Sequence, residues 1–237
     1  MINADLIKII CPSSNGDIVS GVVKEFLKNS ATYGLDTPIR ECHFFAQASE
    51  ETAYFRTLTE YASGQEYEYR SDLGNVEAGD GPRYKGRGIF QVTGRFNYKI
   101  IGDAIGHDIL NEPVSAAFPE IAVKSALYFW RIHDLNRYAD ADDCRAITER
   151  INGGLNGYDA RYSLLLHYKS LYEKPQGILP LAHVTSFQSA LQKKGYNITV
   201  DGLFGSQSEA VVKTFQHDHG LSPSGVVDKN TLTLINT

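Results

Sequence analysis

Between Glu41 and Tyr69 the chain gathers Glu41, Glu50, Glu51, Glu60, Glu66 and Glu68 among Tyr54, Phe55, Tyr61, Tyr67 and Tyr69. Carboxylates beside aromatic rings suit carbohydrate chemistry. Sugars stack their apolar faces on rings and hydrogen-bond through their hydroxyls, while nearby negative charge stabilises an oxocarbenium-like transition state. The same residue types also describe a solvated acidic helix face, and composition alone leaves both readings open.

Three ordered segments add a resemblance. Residues 46–60, AQASEETAYFRTLTE, are similar to the catalytic helix of family 19 glycoside hydrolases, the group of plant-type chitinases and many phage endolysins. Residues 84–98, YKGRGIFQVTGRFNY, resemble that family's long Tyr-x-Gly-Arg-Gly-x-x-Gln-x-Thr-Gly-x-x-Asn-Tyr signature. Residues 151–157, INGGLNG, followed by Arg161, resemble its C-terminal Ile-Asn-Gly-Gly motif.

The resemblance implies a mainly α, lysozyme-like and chitinase-like catalytic domain that needs no cofactor. It makes Glu51 the general acid, Glu60 the general base and Thr93 the hydroxyl that helps hold the attacking water. It also places Gln91, Asn97 and Asn152 on the substrate and makes Arg161 a cleft arginine that interacts with the acidic groups. Capping, turn formation or a surface ion pair is the ordinary alternative for each of these polar residues. Gly86, Gly88, Gly153 and Gly154 read as backbone devices for close approach and unusual dihedrals.

The two acids set a geometric condition. In one continuous helix nine residues rise about 13.5 Å and turn about 900°, which puts the side chains on opposite faces. The helix is therefore expected to end near 58–62, with Ser63-Gly64 as the break. Inverting glycosidases hold their carboxyls roughly 6.5–9.5 Å apart to admit a water, and retaining ones about 5–5.5 Å. The resemblance implies inversion, with a protonated Glu51 and an ionised Glu60. One departure is visible: Glu50 stands where the family commonly has His, and Tyr54 where Gly is usual. Adjacent helical residues point about 100° apart, so only one of Glu50 and Glu51 faces a cleft. The register of Gln47 and Phe55 favours Glu51, and a nearby Glu50 would raise the acid's pKa by like-charge coupling.

A second resemblance lies beyond residue 183. The segments FQSALQ from Phe187, VDGLFG from Val200, Phe215-Gln216 and GLSPSGVVD from Gly220 look like the small helical peptidoglycan-binding module found on many wall hydrolases. His217 and His219 alternate on an expected helix and diverge, without a third ligand, so no metal is expected there.

The elements that must position these residues show in the spacing. Apolar residues recur at three-to-four intervals over about 17–28, 38–58, 118–133, 141–151 and 159–172, which predicts amphipathic helices. Pro38, after Asp36 and Thr37 as caps, and Pro119, after Phe118, mark helix starts. From Ser63 to Gly94 periodicity gives way to Gly, Asp, Arg and Tyr, which predicts a long structured loop with short strands; such loops usually carry function. The run EKPQGILPLA after Tyr172 breaks the pattern again. It divides a catalytic domain at 1–173 from a linker at 174–183 and a three-helix domain at 184–237, with helices over 184–194 and 206–219 and from Asp228.

Composition narrows the class. The 237 residues include 42% apolar and 22% charged side chains, ordinary for a soluble globular chain. A net charge of −5 without a Lys/Arg run argues against nucleic acid as the partner. Cys11, Cys42 and Cys144 lie far apart without metal spacing and read as buried thiols. The opening ten residues hold an acid and too short an apolar run for a cleavable signal or a membrane span.

Together these readings predict a monomeric phage endolysin with bacterial peptidoglycan as its partner. It is expected to cut β-1,4 MurNAc–GlcNAc bonds as a muramidase. It would accumulate in the host cytoplasm and reach the wall after a separate membrane lesion. A chitinase, or a noncatalytic wall-binding protein, are the alternatives. Removal of residues 183–237 is expected to weaken adsorption to wall more than turnover of soluble fragments.

Overall fold

In the computed structural model residues 2–173, 184–202, 204, 206–225, 227 and 229–236 are described. The expected linker, 174–183, lies outside the described residues. The chain runs through α1 (Ala4–Ile10), α2 (Gly16–Asn29), α3 (Pro38–Glu51), the short α4 (Asp80–Arg83), α5 (Arg95–Ile105), α6 (Pro119–Ile132), α7 (Leu135–Asp140), α8 (Cys144–Asn152) and α9 (Tyr158–Glu173). Helices α10 (Val184–Lys193), α11 (Ser206–Asp218) and α12 (Lys229–Asn236) form the C-terminal unit. The fold is mainly helical, as the spacing predicts. None of the described helices is long and apolar enough to cross a membrane.

Helix α3 is the axis of the larger core and packs most extensively on α9. Phe44 and Phe45 meet Phe26 of α2 at ring-centroid distances of 5.0 and 4.8 Å, and Phe44 meets Trp130 of α6 at 5.4 Å. Each such ring removed from water contributes roughly 1.5–3 kcal/mol. The helix is also buried on its polar side, so hydrogen bonds fix its rotation. His43 meets Asp142 at 2.9 Å, Gln47 donates to Thr148 at 3.0 Å, and Ser49 pairs with the Tyr168 hydroxyl at 2.8 Å. Cys11, Cys42 and Cys144 are buried in this core, and burial pushes the thiols of Cys11 and Cys144 up to about 11 and about 12.

Several expectations change in detail. Thr37 occupies the cap position of α3 but its side chain makes no cap hydrogen bond, whereas Asn15 caps α2 through Asp17 and Ile18. The 63–94 region contains 3₁₀ turns and α4; only isolated antiparallel bridges, Thr59 with Arg87 and Arg87 with Val92, occur among its described residues.

The largest change concerns α3, which ends at Glu51 rather than near 58–62. Ala53, Tyr54 and Phe55 then adopt φ of +50°, +64° and +57° in succession. Left-handed backbone costs a non-glycine residue roughly 1–2 kcal/mol, so the turn needs support. Thr52 supplies part of it: its Oγ1 donates to the Ala48 carbonyl at 2.7 Å and accepts from the Phe55 N–H at 2.9 Å. Asn15 N–H donates to the Phe55 carbonyl at 3.0 Å, and the Phe55 ring is fully buried. This turn, and not Ser63-Gly64, redirects the chain between the two carboxylates.

The C-terminal unit has its own core of Val184, Phe187, Leu191, Ile198, Phe204, Val212, Phe215 and Ile235. Leu166 of α9 packs against it. His219 stacks on Phe215 and its ring bonds the Phe215 carbonyl at 2.8 Å, while His217 is exposed.

Candidate active site

Two clusters hold the expected site residues other than Asn152. The first is built on the last turn of α3 and the first turn of α9. Arg161, almost fully buried, donates through Nη2 to Glu51 at 2.7 Å, through Nη1 to Gln47 at 2.7 Å and through Nε to the Asn156 carbonyl at 3.2 Å. A buried guanidinium needs such partners, and removing one member of a buried pair costs about 3–5 kcal/mol. Arg161 is therefore an internal clamp on Glu51 rather than a surface ion pair.

Glu50 stands beside this clamp. Burial holds its carboxyl above the usual range; Arg161 opposes the shift and the charge of Glu51 adds to it. Its Oε1 lies 2.8 Å from where a side chain on Gly157 would begin, and Gly157 has φ +70°, so a side chain there would push the Glu50 carboxyl aside and strain the backbone. Asn152 closes α8, with its Oδ1 buried and unpartnered among the described residues. Among the described residues it joins neither cluster by a hydrogen bond.

The second cluster surrounds Glu60. The backbone around it is fixed by the loop that carries the 84–98 signature. Glu60 N–H donates to the Gly86 carbonyl at 3.0 Å, and Gly88 N–H to the Leu58 carbonyl at 2.8 Å. Lys85 Nζ donates to the carbonyls of Glu60 and Ala62 at 3.1 and 2.8 Å. The Tyr67 hydroxyl donates to Glu60 Oε2 at 3.0 Å, while Oε1 is buried without a protein partner among the described residues. Burial, then the bond to Glu60 and its charge, push Tyr67 up to about 12, so it remains a donor at any working pH.

Gln91 adopts φ +52° and donates to the Gly88 carbonyl at 2.9 Å. A Cβ on Gly86 would lie 2.4 Å from Gln91 Oε1 and 2.9 Å from Glu60 Oε2, so any side chain there would displace the ends of both. Thr93 donates to the Gln91 carbonyl at 2.9 Å, and Asn97, exposed on α5, donates to the Thr93 carbonyl at 2.8 Å. Gln91, Thr93 and Asn97 thus form one chain of hydrogen bonds, with Gln91 Oε1 and Glu60 Oε2 both flanking Gly86. Gly154, by contrast, has open space around it and no left-handed φ, so it is no backbone device.

Tyr67, Gln47, Lys85 and Arg87 complete this framework and were not among the expected site residues. Arg87 is buried and donates to the Tyr98 hydroxyl at 2.8 Å, which in turn donates to the Lys85 carbonyl at 2.7 Å. Its place within the signature was a signal, whereas Tyr67 and Lys85 act through contacts that no local pattern announces. No group of three or more His, Cys, Asp or Glu side chains suited to a metal occurs among the described residues.

The two clusters lie within segments that recur in known proteins. A peptidoglycan binding domain matches residues 182–235. A "Glycosyl hydrolase family 19 domain-containing protein" of Haemophilus influenzae is 39% identical over 98 residues, covering 41% of this chain and 47% of that protein. Endochitinase B of Nicotiana tabacum is 33% identical over 171 residues, covering 58% of this chain and 53% of the relative. The chain thus spans about half the length of these curated relatives. The crystal structure of chitinase C from Streptomyces griseus shares the fold, with a TM-score of 0.60 at 20% identity over 73% of this chain and 93% of that one. A bacterial family 19 chitinase gives the same TM-score of 0.60 at 22% identity over 76% and 96% of the two chains. Residues 23–148, which hold both carboxylates and the whole 84–98 loop, match the family described as chitinase class I, glycoside hydrolase family 19, and the chain belongs to that family.

Proposed function

We propose that the chain is a peptidoglycan-cleaving glycosidase of the endolysin kind, acting on β-1,4 MurNAc–GlcNAc bonds with inversion. The observation that carries this is the contrast between the carboxylates. Glu60 is oriented by Tyr67 with one oxygen left for a non-protein partner, and Glu51 is gripped by Arg161 beside a second carboxylate. In the reaction Glu60 takes a proton from water while Glu51 gives one to the leaving glycosidic oxygen. Glu50, whose carboxyl burial raises while Arg161 opposes, stands beside Glu51 at the end of the same helix. Thr93 and Gln91, beside Glu60, hold the water and a sugar hydroxyl; Asn97 and Asn152 add substrate contacts.

The C-terminal module favours peptidoglycan as the polymer, since tethering raises effective concentration at an insoluble substrate. The relatives' names favour a second reading, chitin cleavage. Digestion of purified sacculi and of chitin oligomers separates the two, and reducing-end analysis separates a muramidase from a glucosaminidase. Glu51→Gln should abolish lysis of permeabilised cells yet leave adsorption to wall intact. Retained hydrolysis would move the acid role to Glu50. An α-anomeric first product, followed by NMR, is the outcome required by inversion of a β linkage; a β product would overturn it. The cellular role extends the proposal: a monomer made in the host cytoplasm that meets the wall only after the membrane is breached. Expressed in host cells, it should lyse them only when a membrane lesion is added.

A further inference from the structure

Helix α9 serves both halves of the protein within a single turn. Arg161 points to α3 and holds Glu51 and Gln47. The next residue, Tyr162, donates its hydroxyl to Glu209 on α11, and that carboxylate is also paired with Lys213 at 2.5 Å. Ser163, 1% exposed, accepts the backbone N–H of Phe204, 6% exposed, at 2.9 Å. One turn further on, Leu166 enters the module's apolar core. Successive helical residues point about 100° apart, so one face of this turn meets the acid while the neighbouring faces meet the module.

The position in the helix matters as much as the contacts. Tyr158 opens α9, which places Arg161 in its first turn. Arg161 N–H donates to the Gly157 carbonyl at 3.0 Å, the bond that starts the helix, and helix ends open most easily. A guanidinium that must reach two acceptors at 2.7 Å needs that turn held still. We propose that the C-terminal module is a positioning element of the active site. By docking on Tyr162, Ser163 and Leu166, it fixes the turn of α9 from which Arg161 sets Glu51. This rests on the reading of Glu51 as the acid, and it revises the expectation that the module affects adsorption more than turnover.

The test keeps the full chain. Tyr162→Phe combined with Ser163→Ala removes both polar contacts across the junction without emptying the core. On soluble GlcNAc oligomers and solubilised glycan strands kcat should fall about three- to ten-fold, the effect of one or two lost hydrogen bonds. KM and adsorption to sacculi should hold, and the alkaline limb of the pH–kcat profile should move, because a guanidinium beside the acid has shifted. Tyr196→Phe removes a Tyr–carboxylate bond to Asp218 inside the module, away from α9, and should change none of these. Amide exchange across 158–166, read by mass spectrometry, should quicken in the double variant alone. Unchanged exchange, or unchanged kcat and pH profile in an active enzyme, overturns the proposal. A wild-type chain inactive on every glycan while exchange responds as expected overturns the glycosidase reading instead.

Discussion

The hydroxyl of Tyr67 donates to Oε2 of Glu60 across 3.0 Å, tying the second carboxylate to a loop seven residues further along the chain. Hydrogen bonds to charged groups contribute about 1.5–3 kcal/mol, and the catalytic value of this one lies in orientation. Tyr67→Phe should lower kcat about tenfold or more with little change in thermal stability, since the ring stays in place. Steady-state kinetics on solubilised glycan strands is the check, and a kcat within twofold of the parent would remove Tyr67 from the site.

Gly86 makes a sharper case, because its substitution adds a single methyl. The new Cβ would fall 2.4 Å from Gln91 Oε1 and 2.9 Å from Glu60 Oε2, so the ends of both side chains must shift. Gly86→Ala should therefore cost more activity than Tyr67→Phe, on the order of 100-fold, as a displacement of about 1 Å at a reacting group can. Circular dichroism should show a folded protein. Activity equal to the parent's would mean that the two side chains are not needed where they stand.

Much of this arrangement is legible in the chain, and the exceptions have physical causes. Helices α2 and α6 follow the apolar spacing because each buries one stripe, whereas α9 is buried on several faces, against α3 and against the C-terminal unit. The end of α3 does not, because Phe55 stays buried after the backbone has left the helix, and the apolar rhythm continues through the left-handed turn. The 84–98 signature segment does put Gln91 Oε1 and Glu60 Oε2 on the same glycine, Gly86. Tyr67 and Lys85 reach Glu60 through contacts set by tertiary folding. The inward face of Arg161 depends on a partner 110 residues earlier, which spacing along the chain does not reveal.

Glu50 offers a pH test. Its carboxyl is raised chiefly by burial, with the neighbouring charge of Glu51 adding and Arg161 opposing. Glu50→Gln removes a buried carboxyl, and with it a negative charge beside the proposed acid. The alkaline limb of the kcat–pH profile should move to lower pH, with the acidic limb unchanged. If both limbs stay where they were, Glu50 has no electrostatic part in the reaction.

His43 gives a stability test with a definite sign. It is fully buried, and burial holds its pKa below 6.5, with the bond to Asp142 opposing. The unfolded chain thus takes up the proton first. Stability should be steady above about pH 6.5, fall as pH drops through that value, by at most about 1.4 kcal/mol per pH unit, and level off below the folded pKa. In His43→Gln this component vanishes. Urea unfolding at several values between pH 5 and 8 compares the two, and parallel curves would show that His43 is not buried neutral.

The left-handed turn after Glu51 allows a stabilising change to be predicted. Ala53 has φ +50°, and its side chain is partly exposed. Glycine enters this region without the roughly 1–2 kcal/mol steric cost, but it gives the unfolded chain about 0.5–1 kcal/mol of extra freedom. Ala53→Gly should raise stability by a net ~0.5–1 kcal/mol, seen as a higher urea midpoint at constant m. Thr52→Ala should do the reverse. It leaves the buried Phe55 N–H without its acceptor at 2.9 Å, a loss of about 1–3 kcal/mol. Because the turn sets the path from Glu51 to Glu60, Thr52→Ala should lower kcat as well, whereas Ala53→Gly should leave it unchanged. An Ala53→Gly variant less stable than the parent would mean that the backbone there is not strained, and that the turn is held by packing alone.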